Sequence, residues 1–198
     1  TVVHALLDIF DSMGLDAALA APTGRAAKRL SEATSHEART VHRLLEAEYD
    51  GTEENGSVIG RRLSFRRCEK DLLDEHVIII DEASMLDSAL TAALLRAIKP
   101  GARLIIIGDS DQLPSVGAGN VLHDIIDSGV FATVCLTEIF RQAQRSLIVT
   151  NAHAIDRGEM PVLDVKDRDF FFLPRSSDAE IAATVADLCA NRLPAPYR

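Results

Sequence analysis

The chain has 198 residues, enough for one well-packed domain or for one domain and part of another. Apolar residues make up 47% and charged residues 26%, which excludes a disordered chain, and the formal charge of −9 argues against a protein that coats nucleic acid over its whole surface. No apolar run approaches the ~20 residues of a bilayer span, no signal-peptide pattern opens the chain, and Cys68, Cys135 and Cys189 outline neither a disulfide framework nor a zinc site, so a cytoplasmic protein without membrane contact is expected.

Val3, Leu6, Leu7, Phe10 and Met13 recur at helical spacing, with Gly14 as a stop. Asp16 to Ala21 is a short apolar segment that ends at Pro22-Thr23-Gly24, where Thr23 can cap a helix running to about Ala33. A second short helix is expected from Thr40 to Ala47. Between Asp50 and Gly60 the sequence turns polar and glycine-rich, the mark of an exposed hairpin or loop. Strand Val77 to Asp81 then leads to a helix near Ser88 to Ile98, and strand Arg103 to Gly108 to a helix near Gly119 to Asp127; strand Ala132 to Leu136 follows. Strands alternating with helices imply a parallel sheet with right-handed crossovers. Beyond Ile139 come a helix near Ser146 to Asp156, an aromatic strand Asp169 to Leu173 and a helix near Asp178 to Asn191.

Two of these strands end abruptly in carboxylates: Val77 to Ile80 in Asp81-Glu82, and Leu104 to Ile107 in Gly108-Asp109-Ser110-Asp111-Gln112. Open α/β sheets bind ligands at such ends. An acidic pair there suits a magnesium-nucleotide site, with Asp81 on the metal's water shell and Glu82 orienting or deprotonating an attacking water. Gln112 both donates and accepts hydrogen bonds, which fits sensing a γ-phosphate or placing water. Two basic clusters, Arg25-Lys28-Arg29 and Arg61-Arg62-Arg66-Arg67-Lys70, are ordinarily solvated faces; Asp71, Asp74 and Glu75 blunt the field of the second. The histidines, His42 and His123 among them, lack metal-ligand spacing.

Five ordered motifs, Ala21 to Leu30, Thr40 to Leu45, Asp81 to Asp87, Gly108 to Leu122 and Leu136 to Gln142, together resemble the RecD-like superfamily 1 DNA helicases, including the exodeoxyribonuclease V alpha subunit. Asn151-Ala152-His153, Arg157-Gly158 and Phe170 to Leu173 are similar to later parts of that family. The resemblance implies a P-loop NTPase, RecA-like parallel sheet with flanking helices over residues 1–138, with a hairpin or loop insertion at about 50–70. It also implies the beginning of a second RecA-like motor domain over 139–198. It further implies ATP and Mg2+ as ligands, single-stranded and duplex DNA as partners, and other recombination-complex subunits as companions.

Residue by residue, the resemblance assigns Asp81 and Glu82 to the Walker B pair and Gln112 to the γ-phosphate sensor. Arg141 matches an arginine finger, a group that contributes a factor of ~10³ to 10⁵ in related phosphoryl transfers. Pro22, Thr23, Gly24 and Arg25 match a turn that lies against single-stranded DNA, and Pro114, Ser115 and Val116 a second DNA-contacting turn. A helix N-terminus at Thr23-Gly24 offers N–H groups to phosphate, consistent with the first of these.

The family's Gly-Lys-Thr phosphate loop should directly precede the first helix, and the sequence opens within that helix at Thr1-Val2-Val3. The polypeptide therefore reads as an internal fragment of a helicase, inactive alone, whose sheet edge is open to self-association. The parent is expected to be an ATP-dependent DNA translocase of repair or recombination, moving 5′ to 3′. Alternatives are a non-catalytic DNA-binding or assembly module, the helicase domain of a conjugative relaxase, and a two-metal nuclease using Asp81, Glu82, Asp109 and Asp111.

Overall fold

The computed structural model describes residues 2–50, 53–54, 57–58, 62–136 and 145–192. The chain forms two compact units, Thr1–Val134 and Cys135–Arg198.

The first unit is built on a four-stranded parallel sheet. Helix α1 (Val2–Ser12) buries Val3, Leu7 and Phe10, one stripe at helical spacing. It ends where Gly14 takes φ 67° and Leu15 N–H reaches back to the Phe10 carbonyl at 3.0 Å, a Schellman-type stop. Strand β1 (Ala17–Ala21) follows, then α2 (Gly24–Thr34), whose Thr23 hydroxyl accepts from Ala26 N–H at 3.2 Å as the sequence predicts. Strand β2 (Ala38–Thr40) leads into α3 (Val41–Leu44). Strand β3 (Ala47–Asp50) pairs antiparallel with β6 (Arg62–Phe65), and the short strands β4 (Glu53–Glu54) and β5 (Ser57–Val58) pair between them, so the expected loop or insertion is a hairpin arm.

Strand β7 (Val77–Ile80) leads through a 3-10 turn (Ala83–Met85) to α4 (Ser88–Ala97), and β8 (Arg103–Ile106) leads to α5 (Val121–Asp127). The sheet order is β2-β1-β7-β8, with Leu19 opposite Ile79 and Ile79 opposite Ile105. All four side chains of β7 are fully buried, as its unbroken apolar run predicts. Val77 and Ile79 pack with Val3, Leu7, Phe10 and Leu30 beneath α1 and α2, whereas Ile78 and Ile80 pack with Val41, Leu44, Leu90 and Leu94 beneath α3 and α4. Each such side chain contributes about 1.5–3 kcal/mol on burial, so this strand anchors both layers.

Three expectations change. The helix expected over Thr40 to Ala47 stops at Leu44, because Glu46 adopts φ 51° and the next residues join β3. Ala132 to Leu136 and Asp169 to Leu173 form no strand. A β-prone sequence becomes a strand only where a neighbour supplies backbone partners. Val134 and Leu136 are 87% and 84% exposed, and no strand among the described residues pairs with them.

In the second unit α6 (Leu147–Asp156) starts at Ser146, whose hydroxyl accepts from Val149 N–H, while Asp169 accepts from Leu147 N–H at 2.8 Å. The buried Asn151 amide binds both the N–H and the carbonyl of Val162, each at 2.9 Å. Helix α7 (Asp178–Asp187) is capped by Ser177 and runs into a wider π turn, Leu188–Arg192. No helix among the described residues is long and apolar enough to cross a membrane.

Candidate nucleotide and DNA site

Asp81 and Glu82 emerge at the C-terminal end of β7, both half-buried. Asp81 N–H continues the ladder to the Ala20 carbonyl at 2.9 Å, and the Asp81 carboxylate accepts from Glu82 N–H at 3.0 Å. Glu82 sits at φ 55°, ψ 40°, in the left-handed region that ordinary residues avoid. Such strain is retained where surrounding bonds over-determine it. Here Ala83 N–H donates to the Ile107 carbonyl at 3.0 Å, and the chain turns at once into the 3-10 segment.

That bond also draws the end of β8 alongside. A Cβ on Gly108 would stand 2.8 Å from Leu122 Cδ2 and 3.0 Å from Ala83 N, so only glycine lets the two strand ends approach this closely. Beyond Gly108 the Asp109 carboxylate accepts from Asp111 N–H at 3.1 Å and from Gln112 Nε2 at 3.4 Å, and Gln112 is exposed. The two polar strand ends predicted from sequence are thus neighbours through Gly108 and Ala83, with the Gln112 side chain held by Asp109.

The loop that follows is seated on α4. Asp87 caps that helix through Leu90 N–H at 2.7 Å, and Ser88 N–H donates to the Ala118 carbonyl at 2.9 Å. Gly117 lies against the Asp87 side chain and Gly119, at φ 103°, against Ser88 Oγ. The turn Pro114-Ser115-Val116, with Pro114 and Val116 exposed and Ser115 half-buried, is therefore carried by the helix that continues the Asp81–Asp87 segment, and the Ser115 hydroxyl donates within the turn to the Gly117 carbonyl at 3.0 Å. Pro22, Thr23, Gly24 and Arg25 form the entry to α2, where Gly24 and Arg25 are exposed and Pro22 and Thr23 half-buried. Arg141 lies outside the described residues.

A narrow cleft brings together Val3 of α1, Ala26, Arg29, Leu30 and Ala33 of α2, and both Asp81 and Glu82. Arg29 is a cation at the i+3 position of a stripe otherwise made of Ala26, Leu30 and Ala33, a break in pattern that sequence reading attributed only to a basic face. Ser84 was also passed over: its hydroxyl is buried without a hydrogen-bond partner among the described residues, a condition that costs about 1–3 kcal/mol.

The second basic cluster takes a different form from a binding patch. Arg67 donates to Glu46 at 2.9 Å, to Asp71 at 3.3 Å and to the Leu72 carbonyl at 3.0 Å, and Arg66 pairs with Glu46 at 3.1 Å. The Arg67 guanidinium holds the Glu46 carboxyl below its ordinary value. These two arginines are committed to the root of the hairpin, as the flanking acids suggest. Arg61 lies outside the described residues. Among those residues no three His, Cys, Asp or Glu side chains converge in a group that could hold a metal ion.

A parallel sheet with acidic strand ends facing the start of α1 is the arrangement of a P-loop nucleotide-binding fold, and the model of the family described as AAA domain matches residues 1–171. The chain belongs to that family. Within it, this AAA-domain chain is related to the RecD-type superfamily 1 helicases, as its motifs suggest. It is 39% identical over 161 residues to the ATP-dependent RecD2 DNA helicase of Deinococcus radiodurans, covering 81% of this chain and 20% of that protein. It is 40% identical over 160 residues to the RecBCD enzyme subunit RecD of Mycobacterium tuberculosis, covering 72% of this chain and 26% of that protein. The AAA-domain chain thus spans about a quarter or less of the length of these relatives. The crystal structure of Bacteroides Pif1 bound to single-stranded DNA aligns with 90% of this chain and 48% of its own, at 18% identity and a TM-score of 0.42.

Proposed function

We propose that this AAA domain is the water-activating and sensing part of an ATP-driven DNA helicase acting in repair or recombination. The observation that carries the reading is the junction at Gly108, where the Asp81-Glu82 turn and the Asp109–Gln112 turn are bonded together through Ala83 and Ile107. Glu82 orients and deprotonates the attacking water. Gln112 leaves Asp109 to meet the γ-phosphate, and Arg141 supplies a planar fork to the charge that develops on it. Asp81, half-buried beside Glu82 and turned into the same cleft, fits the hard-cation chemistry of Mg2+, which would neutralise phosphate charge there.

Chain geometry is compatible with a phosphate-cradling loop at this end of the sheet. The step from β1 through α2 to β2 runs in one direction across the sheet, and α1 covers the same face as α2. A right-handed crossover through α1 into β1 must step the same way, so a strand feeding α1 would come from the β8 side. The turn joining such a strand to Val2 would then sit at the sheet end that carries Asp81, where a phosphate-cradling loop is needed.

Single-stranded DNA lies along Pro22 to Arg25 and Pro114 to Val116. Gly24, Arg25, Pro114 and Val116 are exposed, and the second turn rides on the helix that continues the nucleotide-binding segment, which links hydrolysis to DNA grip. The full-length protein tests the whole reading: DNA-stimulated ATP hydrolysis and strand separation are expected, with Glu82→Gln abolishing both while leaving DNA affinity intact. A full-length protein that binds DNA without hydrolysing ATP would instead be a non-catalytic module.

A further inference from the structure

The three basic residues of α2 are not equivalent. Arg25 stands at the helix entry, and Lys28 is 3.9 Å from Glu32 on the outer surface. Arg29 alone lines the cleft that contains Asp81 and Glu82. Among the described residues it has no carboxylate, carbonyl or aromatic partner. The cleft's other walls, Val3, Ala26, Leu30 and Ala33, are apolar and offer its five donors nothing, while neither acidic neighbour is within ion-pair distance of it.

An exposed guanidinium with no partner among the described residues, in a cleft shared with two half-buried carboxylates, is suited to an anion that enters with its own cation. We propose that Arg29 binds a phosphate oxygen of the nucleotide, acting from within the first unit as a contact distinct from the Arg141 finger. The inference rests on the reading of the Asp81-Glu82 cleft as a nucleotide site. A guanidinium can engage phosphate with two parallel N–H donors, and Arg29 is exposed, open to an anion that enters the cleft it lines. The same geometry removes Arg29 from the DNA-contacting group that its neighbour Arg25 joins.

The test compares Arg29→Ala, Arg29→Lys and Arg25→Ala in the full-length protein, using a fluorescent ADP analogue with Mg2+ and a fluorescent oligo-dT. Losing a charge-assisted contact should weaken nucleotide binding by about tenfold or more in Arg29→Ala. Arg29→Lys should recover part of that loss, and oligo-dT affinity should stay at the wild-type value in both. Arg25→Ala should show the opposite pattern. Thermal melting unchanged in Arg29→Lys keeps a folding defect from imitating the result. If Arg29→Ala weakens oligo-dT binding and spares the nucleotide, or alters neither, the inference fails while the wider reading stands. If the wild-type protein binds no nucleotide, both fail together.

Discussion

Gly117 rests on the carboxylate of Asp87, so closely that a methyl group at residue 117 would overlap it. The same carboxylate caps α4 through Leu90 N–H at 2.7 Å. One acidic side chain thereby starts a helix and seats the loop that carries Pro114 to Val116. Gly117→Ala must move either the cap or the loop, and overpacking of this kind costs about 1–3 kcal/mol. Urea unfolding of the variant should show a lower midpoint. Asp87→Ala should lose about 1 kcal/mol as a missing cap, and the two losses should be less than additive because they share one contact.

Gln112 is held by Asp109 at 3.4 Å, a long hydrogen bond that is easily exchanged. Gln112→Ala in the full-length protein should lower kcat for DNA-stimulated ATP hydrolysis by one to two orders of magnitude, with a much smaller effect on nucleotide affinity. Steady-state kinetics at saturating DNA would read the two separately. An unchanged kcat would remove Gln112 from the chemistry.

Asp169 accepts from Leu147 N–H and lies beside Ser146, and these hydrogen bonds hold its carboxyl below the ordinary aspartate value, with the Ser146 contact the largest cause. A depressed folded-state pKa adds stability above the unfolded value of about 3.9, and that stability is lost as pH falls through the folded value. Stability of the second unit should therefore decline on acidification below about pH 4. Asp169→Asn should flatten this acid limb in pH-dependent thermal melts and leave the neutral-pH slope unaltered.

The 198 residues contain no Gly-Lys-Thr loop, so expressed alone they should give negligible DNA-stimulated ATP hydrolysis. Strand β8 is at one end of the described sheet, with Leu104, Ile105 and Ile106 only half-buried. An edge of that kind pairs readily with another chain. Light scattering of the 198-residue polypeptide should show mass rising with concentration, and a constant monomer mass would refute pairing at this edge.

The DNA contacts proposed for backbone N–H groups and Arg25 would carry no base information. Affinity of the full-length protein for single strands should be independent of sequence and fall steeply with salt. A titration of poly-dT against mixed-sequence strands at two ionic strengths measures both properties.

Much of the first unit was legible because its signals are local. The Val77 to Ile80 run could only be a strand buried on both sides, and Thr23 is a cap by chemistry alone. The end of α3 was not legible, since nothing in Leu45-Glu46 announces a positive φ imposed by partners twenty residues away at Arg66 and Arg67. Ala132 to Leu136 has strand composition, and composition says nothing about whether a partner edge is present. Asp81, Glu82 and Gln112 were visible as polar residues that interrupt apolar runs. Arg29 was seen only as charge, because its side of the helix becomes meaningful once α1 and β7 form the opposite wall of the cleft.

The root of the hairpin closes on itself: Arg67 N–H meets the Leu45 carbonyl at 3.1 Å and Arg66 N–H the Glu46 carbonyl at 3.2 Å, beside the charged clamp of Glu46 and Asp71. The chain leaves and re-enters the sheet domain at nearly one point, so what lies between can lengthen, shorten or be exchanged at little cost to the layers beneath. Nature and the engineer are offered the same splice site, at which the arm can diversify while the parallel-sheet frame stays fixed.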